Sequence, residues 1–264
     1  MTRAVLILAH ATDSGAELVA EALMRDFGSH AVRIVRPEML SLASWSHRVN
    51  SRGRASTRLA LPSAEPIEDA QVAAVLNRIR YLPVPRFYRA TAKDLDYAGL
   101  EMQALVASWL AGFGDRVVHV VRKHPWLVPV LPRQHWAARA AECGLPIAAH
   151  TISTSSRALR LRSNTTMRRQ QDDTDVPSDV AATRAASNVL VAGKRAGGFL
   201  AATFSTRCRR AAHRLGFPLL EFRFASEGDR TVLSDVNPLP SLVESWAAAL
   251  TVDLLKSLAG EAPP

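Results

Sequence analysis

Apolar positions along the chain recur with two periods, and each period predicts a different element. Ala4–Ala9 is an unbroken apolar run, which suits a strand covered on both faces. It leads through Thr12-Asp13-Ser14-Gly15 into Ala16–Met24, where Leu18, Leu23 and small alanines suit a helix. Ala31–Val35 alternates as a strand, with Val32 and Ile34 on one face. Strand, turn, helix and strand in that order predict the start of a parallel αβ layer. The turn holds one glycine, so the GxGxxG dinucleotide fingerprint is absent.

The same alternation of short elements runs to residue 152. Residues 46–59 carry Arg48, Arg52, Arg54 and Arg58 with no acid, and read as an exposed basic hairpin or loop beside a short strand, Thr57–Leu61. Ile67–Val75 leads into Leu76–Arg80, after which Pro83 and Pro85 mark a bend. Thr91–Leu110 is the longest predicted helix: Thr91 and Asp94 have capping-box spacing, and Leu95, Leu100, Met102, Leu105, Val106 and Leu110 fall at helical intervals. A strand at Val117–Val121, an alanine-rich helix at Gln134–Cys143 and a strand at Leu145–Ile152 complete this αβ half.

From Ser153 to Ser187 the pattern dissolves into Ser, Thr, Arg, Asn, Gln and Asp, which predicts an irregular basic connector. Val189–Ala192 and Gly198–Phe204 then read as two strands of a hairpin around Gly193–Gly197, followed by a basic helix at Thr206–Leu215. Leu219–Phe224 and Thr231–Val236 are strands joined by the turn at 226–230, and Ser241–Leu258 closes as an apolar helix. The expected fold class is α/β: an αβ domain at 1–152, the connector at 153–187, and an α+β half with antiparallel strands at 188–264.

Composition narrows the functions. At 264 residues, 48% of them hydrophobic, a sizeable core is expected, and no apolar run approaches the ~20 residues that span a bilayer. The first apolar stretch stops at His10, too soon for a secretory signal, so a cytoplasmic protein is expected. Cys143 and Cys208 share no metal or redox spacing, and the eight histidines show no HxH or HxxxH pairing. The balance of 33 basic to 24 acidic residues gives +9, which allows an anionic partner. Nucleic acid is not the expected one, because no recognition helix or aromatic base-stacking pattern accompanies the arginines. Only four of the basic residues are lysines: Lys93, Lys123, Lys194 and Lys256.

The informative chemistry lies near the C-terminus. Glu221 sits on one strand of the last hairpin, and Asp235-Val236-Asn237-Pro238 ends the other. Alternation puts Glu221 and Arg223 opposite Leu220, Phe222 and Phe224, while Asp235 and Asn237 share a face two residues apart. Two carboxylates and an amide form a hard-oxygen set of the kind that suits Mg²⁺. An ion pair of Glu221 with Arg223 or Arg230, beside a plain strand-ending turn, is the alternative.

The stretch Cys208–Leu258, with LGFPLLEFRF, Gly228-Asp229 and TVLSDVNPLPSLVES, resembles the C-terminal part of ATP-grasp ligases. VLNRIRYLPVP, DRVVHVV and HWAARAAECGLPIAAHTIS resemble the segment that precedes the nucleotide clamp in peptide-modifying members of that superfamily. The resemblance implies Mg²⁺ held by Glu221, Asp235 and Asn237 against ATP, with Glu and Asp exchanged relative to the family pattern. Arg207 and Arg223 would steady a phosphate or a substrate carboxylate. It also implies ligation of a carboxylate to an amine on a peptide or natural-product substrate. The clamp segment is reduced: 153–187 contains no glycine and no lysine. A partner completing the nucleotide site is therefore expected, or a non-catalytic partner subunit that keeps the fold. A homodimer through 189–204 or 241–258 is expected from their apolar content.

Overall fold

The computed structural model describes residues 3–52, 55–62, 64–83, 90–118, 131–147 and 187–260. The connector residues 153–186, Arg54 and the continuations of the strands expected after Val118 and Ile147 lie outside the described residues. Among those described, no helix is long and apolar enough to cross a membrane.

The N-terminal αβ layer is a four-stranded parallel sheet. Its strands are β1 (Ala4–Leu8), β2 (Val32–Val35), β6 (Val72–Asn77) and β7 (Val117–Val118), in the order β2-β1-β6-β7. Every residue of β1 and β6 is buried, as expected of parallel strands covered on both faces. Helix α1 (Ser14–Phe27) covers one face through Val19, Ala20 and Leu23. Asp13 caps it by accepting the Ala16 N–H at 3.0 Å, and Gly28 closes it at φ 86°. The other face is covered by α3 (Ala92–Gly112), through Val106, Trp109 and Leu110. Thr91 and Asp94 form the expected capping box.

After the short helix α2 (Pro37–Leu42), residues 44–68 form a separate three-stranded antiparallel sheet of β3 (Ser44–Val49), β4 (Ala55–Ala60) and β5 (Ile67–Glu68). The basic segment is thus a hairpin, and Arg48 and Arg58 point to solvent.

The C-terminal half is an antiparallel sheet in the order β11-β10-β8-β9, built from β8 (Asn188–Ala192), β9 (Arg195–Gly197), β10 (Leu219–Glu227) and β11 (Arg230–Asn237). Val189, Val191, Leu220, Phe222 and Phe224 face α4 (Arg133–Glu142) and α5 (Ala201–Leu215). Leu190, Ala192 and Leu219 face α6 (Ser245–Leu258), which packs at the same time on α1 and the parallel sheet. One apolar cluster therefore joins the two sheets through α6.

Two expected elements differ. Gly198–Phe204 is not a strand: β9 ends at Gly197, and the helix begins at Ala201. Gly198 at φ 115° turns the chain, the Asn188 carbonyl accepts the Leu200 N–H at 3.3 Å, and Phe204, Cys208, Ala211 and Ala212 form the buried stripe of α5. The last helix starts at Ser245 rather than Ser241: Glu244 is its N-cap, with extended backbone at φ −78° and ψ 132°.

Candidate functional site

Register brings the predicted residues together. Glu221 lies opposite Asn237, and Arg223 lies opposite both Asp235 on β11 and Asn188 on β8. A bulge between Arg223 and Phe224 leaves Ser234 as the extra residue of β11, and its hydroxyl donates to the Arg223 carbonyl at 3.0 Å. Bulges of this kind re-aim side chains, and this one keeps Asp235 and Asn237 on the Glu221 face.

Glu221 is the buried floor of the cluster. Its Oε1 accepts from Asn188 Nδ2 at 3.0 Å, and its Oε2 accepts from Arg223 Nη2 at 2.9 Å, Arg223 Nε at 3.1 Å and Asn237 Nδ2 at 3.0 Å. Arg223 also reaches Asp235, Nη1 to Oδ2 at 3.7 Å. Side-chain exposure rises from 8% at Glu221 through 37% at Arg223 to 53% at Asp235, so the cluster has a buried base and a solvent-facing mouth. Asn237 Oδ1 accepts the Leu239 N–H at 3.0 Å, which fixes the turn through Pro238.

Two observations bear on what this cluster can hold. Two carboxylates against one guanidinium leave one negative charge, and the donors are all hard oxygens. Asn188, whose Nδ2 donates to Glu221, turns its buried Oδ1 toward the Gly198 turn, where it has no hydrogen-bond partner, although buried amide oxygens are almost always satisfied. The residues fit a divalent cation of the Mg²⁺ class in kind, with Glu221, Asp235 and Asn237 as the set that would hold it. Among the described residues, no group of three or more His, Cys, Asp or Glu forms a metal cluster, so the amides are needed.

Arg207 stands apart from this site. It is exposed on α5, next to the Gly144 turn, on the side of the sheet opposite to Glu221. The described lysines are elsewhere too: Lys93 in the first turn of α3, Lys194 in the β8–β9 turn, and Lys256 paired with Asp26 at 2.6 Å. The apolar residues expected at a dimer face are mostly buried within the chain. Val189, Leu190, Val191, Phe204, Leu250, Val252 and Leu254 all belong to its core, and Phe199 remains exposed. Beside Phe199, a groove of about 300 Å³ runs between β9 and α6, lined by Arg195, Gly197, Gly198, Trp246, Leu250 and Asp253.

The pattern of the sequence does not single out Asn188, which stands at the start of an apolar strand. Its one signal is polarity at a position whose strand neighbours at 190 and 192 are apolar and face the core. The sequence also gives no warning of Arg78, which is buried at the carboxyl end of β6.

No family model matches the chain, and no curated protein matches it. Solved structures do. The macrocyclase MdnB from Microcystis aeruginosa MRC superposes with a TM-score of 0.68 at 14% identity, over 97% of this chain and 99% of that one. An ATP-grasp ligase associated with ribosomal peptide modification in Chryseobacterium gregarium, solved with ADP and a leader and core peptide, gives 0.65 at 12% identity, covering 99% and 98%. The ATP-grasp ligase PsnB, solved with a minimal precursor, Mg and ADP, gives 0.63 at 14%, covering 97% and 98%. A parallel αβ layer, an antiparallel sheet carrying the acidic cluster, and their superposition on these ligases along nearly the whole chain place the protein in the ATP-grasp fold.

Proposed function

We propose that the protein acts in ATP-dependent ligation of a carboxylate to an amine on a peptide substrate. The observation that carries this reading is the cross-strand cluster of Glu221, Arg223, Asp235 and Asn237, set on the sheet of an ATP-grasp fold. Solved structures of the same fold with precursor peptides, two of them with Mg and ADP, support a peptide substrate and a Mg²⁺–nucleotide requirement.

In this reading Glu221, Asp235 and Asn237 hold Mg²⁺. When bound, the ion and ATP supply the charge neutralisation and phosphoryl group that activate a carboxylate as an acyl phosphate for attack by an amine. The chain's own residues prepare the place. Glu221 is clamped by three neighbours, so its carboxylate is held in one orientation as a shared acceptor. Arg223, locked on one edge by Glu221 and open to solvent on the other, presents its planar fork to a phosphate or substrate carboxylate. Asp235, at the mouth, is the most exposed carboxylate of the set that would hold the ion. Arg207 has no part in this arrangement. Residues 1–152 and 188–264 form the two functional parts, and the nucleotide site is completed by 153–187 or by a partner chain. The reading places the protein in the cytoplasm, where ATP is present and Cys143 and Cys208 stay reduced.

A second reading, a non-catalytic partner subunit, is favoured by one observation: Arg223 already lies between Glu221 and Asp235, where a guanidinium can serve as the balancing cation. Isothermal titration of Mg–ATP, followed by ADP release on adding candidate precursor peptides, separates the two. The ligase reading expects saturable heat and peptide-stimulated ADP release. Absence of both, with the partner chain present, overturns it in favour of the second.

A further inference from the structure

Open α/β sheets bind ligands at the carboxyl ends of their strands where the strand order reverses. In this protein the reversal lies between β1 and β6. Its crevice is filled by the chain itself, by the loop that follows Asn237.

Arg78 is the first residue after β6 and is 4% exposed. Its Nε donates to Asp13 Oδ2 at 2.7 Å, and its Nη1 donates to the Pro240 carbonyl at 3.0 Å. Asp13 is fixed in turn, because its Oδ1 caps α1. Leu242 is fully buried over Gly15: a Cβ at Gly15 would stand 2.8 Å from Leu242 Cβ and 3.0 Å from its carbonyl carbon. Only glycine allows the loop to seat this closely on the helix. Pro238 and Pro240 restrict the backbone between this contact and Asn237. Asn237 spends its carbonyl oxygen on Leu239 N–H and its amide on Glu221, so the loop's seat and the amide's aim are linked over three residues.

We propose that Arg78, with Asp13 and Gly15, is a positioning residue for the acidic cluster: the switch point of the N-terminal sheet clasps the loop after Asn237 and sets the Asn237 amide against Glu221. A crevice that elsewhere takes a ligand here takes a loop of the C-terminal half. The clasp itself stands on these contacts; its effect on a metal rests on the reading of Glu221, Asp235 and Asn237 as the metal-holding set.

The test uses the full chain and two readouts: hydrogen exchange of residues 239–243, and Mn²⁺ binding followed by electron paramagnetic resonance. Arg78→Met should raise exchange at Leu239 and at 241–243 and weaken Mn²⁺ binding roughly tenfold, the size seen when support behind metal ligands is lost. Arg78→Lys, which keeps a charge for Asp13 but loses the fork, should fall between the two. Val106→Ala, in the core behind the parallel sheet, should leave both readouts unchanged. Should Arg78→Met not fold, Gly15→Ala decides. Alanine favours a helix, so a merely local role for Gly15 predicts a higher melting temperature with loop exchange unchanged, whereas the clasp predicts faster exchange at 239–243. Wild-type protection of 239–243 in folded Arg78→Met, or in Gly15→Ala, overturns the clasp. Wild-type protein that binds no Mn²⁺ overturns the metal reading, and the exchange readout still decides the clasp.

Discussion

The two sheets handle buried polar groups differently. At the end of the parallel sheet, Arg78 is nearly inaccessible and its partners, Asp13 and the Pro240 carbonyl, hold the chain to itself. On the antiparallel sheet, Glu221 is almost as buried, yet its surroundings stay open at Arg223 and Asp235. Asn188 Oδ1 is, among the described residues, the buried side-chain oxygen left without a partner. A buried charge whose partners all come from the chain serves architecture. A buried charge that grades into solvent has capacity for something else.

The contrast can be broken by substitution. The largest effect is expected in the N-terminal core. Trp109 is fully buried, donates to Asp69 Oδ1 at 3.1 Å and packs edge-on to Trp45 and Phe113. Trp109→Ala should cost about 4 kcal/mol in urea denaturation. Protein that remains folded should bind divalent ions as wild type does, and a matched loss of binding would erase the distinction between the regions.

Next comes the floor of the cluster. Glu221→Ala strips the shared acceptor from Asn188, Arg223 and Asn237, and should cost about 3 kcal/mol by the same measurement, since it leaves buried donors unpaired. A change under about 0.5 kcal/mol, typical of a surface position, would mean that the cluster is not a built unit.

A smaller effect is expected from pH. Burial, first, holds His10 below its ordinary 6.5, with Arg80 and Arg36 adding to it against Glu38 and Asp13. The Arg80 N–H donates to His10 Nε2 at 3.2 Å, which also needs the neutral ring. This contribution to stability is complete above pH 6.5 and is lost as pH falls from 6.5 through the lowered folded value. His10→Gln should flatten that part of the stability profile, and an unchanged slope would remove His10 from the account.

The smallest effect concerns Cys208. Burial, with Cys143 beside it, pushes its thiol up to about 12. Native protein should resist thiol reagents at pH 8 at this position, and rapid labelling of Cys208 would show that α5 opens readily.

Much of this was legible in the residues. Period and capping signals mark β1, α1 and α3. The alternation Leu220-Glu221-Phe222-Arg223-Phe224 places the cluster on one face, because one side of β10 had to meet α4 and α5. Phe199 and Phe204 led the other way. Their apolar character suggested a strand, whereas the helical spacing of Phe204, Cys208, Ala211 and Ala212 wins once Gly198 turns the chain. That same wheel points Arg207 outward, away from Glu221. The burial of the apolar side of α6 within the chain was unreadable for a long-range reason. Helix α6 buries its apolar side on α1, far away in sequence, and Lys256 reaches Asp26 across the joint. The clasp at Arg78 is invisible for the same reason, since its partner Pro240 is far along the chain.

In the proposed ligase reading, Glu221, Asp235 and Asn237 hold a divalent ion. Asp235 tests it best, because it is half-exposed and, among the described residues, its ion pair is a loose 3.7 Å contact with Arg223, so its removal should barely perturb the fold. Mn²⁺ titration of wild type and Asp235→Asn in the presence of ATP, followed by electron paramagnetic resonance, is the direct measurement. Wild type should bind the ion, and binding should weaken roughly tenfold or more in the variant. Equal binding by the two proteins, or none by wild type, would contradict that reading.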